Sequence, residues 1–178
     1  MRELFISVLV LSLVSVLSAT PVVSLTSNDS NSVTVTPGTT VQVDLSLGFD
    51  CSGIYQIDFI ASGDTSINSI GSWIPAMQEQ AGWSNGSYNP DGSSIDNASG
   101  FSDSDISAGA DLYSFMITVD GSGSISPFMD SSDQTYSYDS NTYTGDELTM
   151  SELTVSTPEP ASIILLGAAG LFLRKRKN

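Results

Sequence analysis

Residues 40–47 read TVQVDLSL, which puts Val41, Val43, Leu45 and Leu47 on one side of an extended chain and Gln42, Asp44 and Ser46 on the other. A period of two held over eight residues describes a strand with one dry face and one wet face. A helix would scatter the same four apolar side chains around its axis. Tyr113, Phe115, Ile117 and Val119 repeat the pattern within DLYSFMITVD. PVVSLTS, SVTVT, IYQIDFIAS and ELTVS are further alternating runs rich in β-branched and aromatic residues. Pro37-Gly38, Ser52-Gly53, Pro90-Asp91-Gly92 and Gly121-Ser122-Gly123 punctuate these runs as turns. Many short half-buried strands pair most simply as two antiparallel sheets packed face to face, so the fold class expected is all-β, an antiparallel β-sandwich, with a barrel as the alternative.

Away from the two ends no segment keeps a helical period, although IPAMQEQAGW, residues 74–83, has room for a single helical turn. The tract 93–109 is rich in Ser, Asp, Asn and Gly and is expected to be loop with at most short strands. A second polar tract, 130–145, holds Tyr136, Tyr138 and Tyr143. Such aromatics stack on sugar rings where they are exposed, but they are expected here as sheet residues packing against neighbours.

Charge narrows the partners. The five basic residues are Arg2, Arg174, Lys175, Arg176 and Lys177, so everything from Thr20 to Thr157 lacks Lys, Arg and His. That stretch holds 18 of the 20 acidic residues, Glu3 and Glu159 being the other two. An unrelieved negative field repels phosphate backbones, which excludes nucleic acid and leaves divalent cations, polysaccharide hydroxyls or a basic protein face as partners, or solubility alone as its purpose.

The same inventory removes most catalysis. Without His, and without Lys or Arg away from the ends, there is no Ser/His/Asp triad, Cys/His pair or cationic oxyanion clamp. One Cys and no His cannot furnish a zinc site. A glycoside hydrolase needs only two carboxylates and stays open as the alternative, although no spacing marks a facing pair. The chain is otherwise expected not to be an enzyme and to require no cofactor. Calcium is the metal that the residue types permit, since hard cations take oxygen ligands. In DSDISAGAD, Asp103, Asp105, Ser107 and Asp111 stand at the first, third, fifth and ninth positions of a calcium loop. Ala108 replaces the required Gly and Ser114 the bidentate Glu, so an EF-hand is rejected and a looser calcium site on Asp103, Asp105 and Asp111 is expected instead. Asn28, Asn85 and Asn97 head Asn-x-Ser sequons and mark polar surface.

Both ends are apolar. Residues 1–19, MRELFISVLVLSLVSVLSA, place Arg2 before an apolar run from Leu4 to Leu17 and then small residues. This is the layout of a secretory signal peptide, the run being short for ~30 Å of hydrocarbon. Cys51 is alone, so no disulfide joins the chain to itself, and it reads as a half-buried side chain or a free thiol. Residues 157–178, TPEPASIILLGAAGLFLRKRKN, set Pro158, Glu159 and Pro160 before a hydrophobic segment, 161–173, and the basic cluster Arg174, Lys175, Arg176 and Lys177. The prolines keep the triplet extended and accessible, and the cations hold the tip on the cytoplasmic side of a membrane.

This end resembles the PEP-CTERM sorting signal of Gram-negative bacteria, with Thr157 where Val often stands. The resemblance implies that a membrane enzyme of the exosortase type recognises the triplet, cuts near it and passes the protein to the cell surface or extracellular matrix. Such proteins are linked to exopolysaccharide and biofilm. The C-terminal segment would meet the membrane only transiently, as a short hydrophobic helix. Residues 20–156 form the domain between the two ends. Within it, SVTVTPGTTVQVDLSLGF, Gly53-Ile54-Tyr55-Gln56-Ile57 and the strand from Gly109 to Ile117 resemble a cohesin-type, jelly-roll sandwich related to carbohydrate-binding and cellulosome-assembly modules. The function expected is structural, adhesive or polysaccharide-binding, with extracellular polysaccharide or surface proteins as partners, and a protein-docking module as the further alternative.

Overall fold

Strand β1, Val22–Thr26, turns back at Ser27–Ser30, and β2, Ser32–Thr34, leads to β3, Thr39–Leu47, in a computed structural model that describes residues 21–136 and 142–158. The two longest strands follow from β3. They are β4, Cys51–Ile67, and, after β5, Ser72–Trp73, β6, Ser87–Tyr88, and β7, Ser94–Ile106, the strand β8, Asp111–Phe128. Short strands complete the chain: β9, Gln134–Tyr136, β10, Thr142–Thr144, β11, Thr149–Ser151, and β12, Leu153–Ser156. The signal peptide and nearly all of the sorting signal, from Glu159 on, lie outside the described residues. Among the described residues no helix is long and apolar enough to cross a membrane.

Two strands belong to both layers. The first half of β8 pairs with β3, Thr39 opposite Val119 and Val43 opposite Phe115, and β1 lies on the far side of β3 with Leu25 opposite Leu45. The second half of β8 pairs with β4, Asp58 opposite Phe128 and Ser62 opposite Ser124, and β7 lies on the far side of β4. Both strands pass from one layer to the other where Gly63 faces Gly123, and the pairing shifts register between Gly63 and Thr65. Strands that switch layers in this way turn the corner of a sandwich. Gly63 has a φ of +67°, and a Cβ there would collide with the Ser122 carbonyl oxygen, so only glycine takes this bend.

The alternation of residues 40–47 becomes the core. Val43 and Leu45 are fully buried, Leu47 and Val41 nearly so, and Tyr113, Phe115, Ile117 and Val119 interleave with them across the β3–β8 register. The other layer contributes Ile54, Ile57, Phe59, Ile95, Ile125 and Leu153. Phe59 stacks on Tyr113 with ring centroids 5.1 Å apart and leans on Phe115 at 4.9 Å, so aromatic contacts join the layers.

The tract 93–109 departs from the expectation of loop, since most of it is strand β7. The single helical turn expected within 74–83 is Pro75–Met77, and it begins at a proline whose missing N–H costs nothing in a first turn. Tyr136 and Tyr143 lie on β9 and β10, and Tyr143 packs edge-on against Phe49 at 5.0 Å. Tyr138 lies outside the described residues.

Thr135 is fully buried, and its hydroxyl has no hydrogen-bond partner. Thr135→Val keeps the shape and removes the orphaned hydroxyl, so it is expected to raise the unfolding free energy by about 1 kcal/mol in a denaturant titration.

Candidate docking face

The outward side of the layer centred on β4 collects large apolar side chains that the core leaves over. From Gly53 to Ile60 the strand alternates until Gln56, which has a φ of +59° and shifts the register against β7 between Ile54 and Ile57. This bulge lets Ile54 and Ile57, three apart, both point inward. It leaves Tyr55, Asp58 and Ile60 outward, with Phe128 directly across from Asp58 on β8. Tyr55, Ile60 and Phe128 are 45%, 43% and 48% exposed. Phe101 on β7 and Tyr136 on β9 flank Gly53 at the far end of the same side.

Polar groups brace the bulge. The Gln56 N–H donates to the Ser99 hydroxyl at 3.1 Å, and the Gln56 Nε2 amide donates to the Asn97 Oδ1 carbonyl at 3.2 Å. The Asn97 N–H donates to the Asp58 carboxylate at 2.7 Å. Burial raises the Asp58 pKa above its ordinary value, the Asn97 N–H works against this, and the negative charges of Asp96 and Asp133 add to the rise. The fold therefore opposes ionisation of Asp58, and this cost is present at neutral pH and relieved as the pH falls through the raised pKa. Asp58→Asn keeps an acceptor for Asn97 and drops the charge. It is expected to raise the melting temperature at pH 7 and to lose that advantage near about pH 3, where the wild-type carboxyl is protonated in both the folded and unfolded chain.

The carboxylates expected as a calcium set are dealt to separate neighbourhoods. Asp103 lies on β7, where its own N–H donates to the Glu79 carboxylate at 3.0 Å. Asp105 lies near Cys51, whose thiol is pushed up to about 12 by burial first and then by Asp105 and Asp50. Asp111 opens β8 on the other layer, and its pKa is raised by burial and by the charges of Asp44 and Asp29. Ser107 lies in the turn between these strands, its carbonyl accepting the Ala110 N–H at 3.2 Å. Among the described residues no three His, Cys, Asp or Glu side chains converge into a metal-holding group.

Asp111 instead lines a cavity of about 440 Å³ with Asp29, Asp44, Gln42, Val33 and Val35. Asp44 accepts hydrogen bonds there from the Gln42 amide at 2.7 Å and the Ser114 hydroxyl at 2.6 Å. Of the sorting residues, Pro158 ends the described chain just beyond β12, and Glu159, Pro160 and the cations lie outside it. Tyr55, Ile60, Phe101 and Phe128 were not legible as a site, because their exposure follows from pairing between strands far apart in sequence.

No family model matches the chain, and no curated protein is similar to it in sequence. Among solved structures it is similar to a chain of a crystallised complex containing CaCohA2, with a TM-score of 0.51 and 13% identity over 77% of this chain and 100% of that one. It is also similar to a chain of a type I cohesin–dockerin complex from Clostridium thermocellum, with a TM-score of 0.49 and 8% identity over 77% of this chain and 95% of that one. A type II cohesin domain from the cellulosome of Acetivibrio cellulolyticus gives a TM-score of 0.46 and 10% identity over 75% of this chain and 95% of that one. At such identities the likeness is one of fold, and the fold is a cohesin-like β-sandwich.

Proposed function

We propose that the chain is an exported, non-catalytic docking or adhesion module of the cell surface or extracellular matrix. In this reading residues 1–19 direct export, and the end 157–178, which resembles a PEP-CTERM signal, is handled by an exosortase-type enzyme in a Gram-negative bacterium that produces exopolysaccharide or biofilm. The sandwich then engages a surface protein through the outward side of β4. The observation that carries docking is the exposure of Tyr55, Ile60 and Phe128 on one side of the sheet, a kind of patch that marks interaction surfaces. The fold neighbour crystallised as a complex containing CaCohA2 supports a docking role.

The test of docking is reattachment. Purified chain carrying Ile60→Ser and Phe128→Ser is expected to keep its melting temperature but fail to rebind envelopes stripped of the native protein, and rebinding equal to wild type would end the reading. Sorting is checked separately by intact mass in medium and envelope fractions, which is expected to show loss of residues 1–19 and of the basic tip.

Docking needs no cofactor. Calcium on Asp103, Asp105 and Asp111 is decided by calorimetric titration: heat and a raised melting temperature at millimolar calcium support it, and the absence of both removes it. A carboxylate-only glycoside hydrolase has one observation in its favour, since Asp44 and Asp111 line the same cavity. Cleavage of soluble polysaccharide that Asp111→Asn abolishes would favour that reading over docking.

A further inference from the structure

At the end of the sheet side away from Ile60 and Phe128, three strands bring Phe101, Gly53 and Tyr136 into one row. A Cβ on Gly53 would stand 2.7 Å from Phe101 Cδ1, so the missing side chain lets the ring lie down on the strand. Tyr136 rises on the other side of Gly53, its ring centroid 6.4 Å from that of Phe101 and its plane tilted by 42°. The Phe101 ring thus covers Gly53, and the two tilted rings lie in contact along one side of a shallow trough. Ser52 and Gln80 close the sides, and the trough measures about 230 Å³.

The walls are held in place. Segment 78–80 runs beside β7, with the Glu79 and Gln80 N–H groups both donating to the Phe101 carbonyl, at 3.2 and 3.4 Å. The Gln80 Nε2 amide donates to the Ser102 carbonyl at 2.6 Å, which fixes its carboxamide. The Tyr136 hydroxyl donates to the Gln134 side-chain carbonyl at 2.6 Å and orients that ring.

The ligand chemistry follows from what lines the trough and what does not. None of the four lining residues is charged, in a domain with 18 acids and no cation. An anion would be repelled by the domain's field, and a cation would find no countercharge among the four described lining residues. A neutral ligand with an apolar face and a rim of hydroxyls matches two ring faces beside an amide and a hydroxyl, because C–H groups stack on aromatics while the rim exchanges hydrogen bonds. A volume below the ~300 Å³ at which pockets for larger ligands begin suits one ring.

We propose that this trough is a subsite for a single neutral pyranose ring of a polysaccharide, stacked on the outward faces of Phe101 and Tyr136. The subsite goes beyond the docking role and does not depend on it.

The test uses the purified full chain and three soluble probes in isothermal calorimetry: cellohexaose, xylohexaose and alginate hexamer. At least one neutral oligosaccharide is expected to bind with Kd of about 1 mM or tighter, and the anionic alginate is expected not to bind. Phe101→Ala is expected to weaken binding at least about fivefold, and Phe101→Tyr, which keeps the ring, to retain it. Tyr136→Ala, on β9 beside the edge strand β10, gives a second reading should Phe101→Ala fold poorly. Failure of both neutral probes to bind overturns the subsite, as does binding that neither alanine variant changes or binding of alginate alone.

Discussion

Phe59→Ala is expected to lower the unfolding free energy by about 3–5 kcal/mol, read as a shift in the midpoint of a denaturant titration. Phe59 is fully buried and is stacked on Tyr113 at an interplanar angle of 4°, with Phe115 on a second side. Tyr113 cannot move in to fill the space. Its hydroxyl accepts the Gly71 N–H at 3.0 Å and donates to the Asn85 carbonyl at 2.7 Å, which pins the ring where it is. Burial pushes the same hydroxyl up from its ordinary range, so it stays protonated and able to donate. The cavity left by alanine would therefore persist, and persistence sets the cost of such a deletion at the upper end of its range. A loss below about 1.5 kcal/mol would show that the rings repack freely and that the layers are not joined through this stack.

The second large effect is expected at the corner. Gly63→Ala should cost about 2–4 kcal/mol, from a left-handed backbone that an L side chain resists and from a methyl group driven into the Ser122 carbonyl and the Gly123 backbone. The atoms in the way are main chain and cannot swing aside. Because β4 and β8 bend together here, relief requires both strands to move. Thermal unfolding of the variant checks the cost. A comparison with Gly109→Ala, where the φ is +80° but nothing lies within 4 Å of the added carbon, separates backbone strain from collision.

Much of the fold is written in alternation. The runs ending at Leu47 and Val119 place every second residue in the core, and both took the faces that a period of two assigns. Strand β7 escaped that reading for an identifiable reason. Its inward residues are Ile95, Ala98, Gly100 and Ser102, spaced three, two and two, because Asn97 has a φ of +58° at a bulge. Two of them are also too small to register as apolar, since the Trp73 indole occupies the space, 2.7 Å from where a Gly100 side chain would begin. The polar composition of 93–109 thus reflects a strand whose core volume is supplied by another segment. The docking side was illegible for a different reason. Ile60 and Phe128 look like ordinary strand residues until the register between β4 and β8 brings them to the same wet face, and Tyr55 joins that face only through the bulge at Gln56. The Asp103, Asp105 and Asp111 loop looked contiguous because sequence distance is short, but the turn at Ser107–Ala110 sends Asp111 to the opposite layer.

The parallel pairings at the two ends of the described chain bear on the timing of its maturation. β1 lies beside β11 as well as β3, Val23 opposite Met150, and β2 lies beside β12, Val33 opposite Val155, so β2 finds its strand neighbour only among the latest residues described. A nascent chain emerging from its amino end could pair β1 with β3 early but would hold β2 unmatched until some 120 further residues had appeared. Closure of this part of the sandwich therefore waits for β12, which joins β2 to β8.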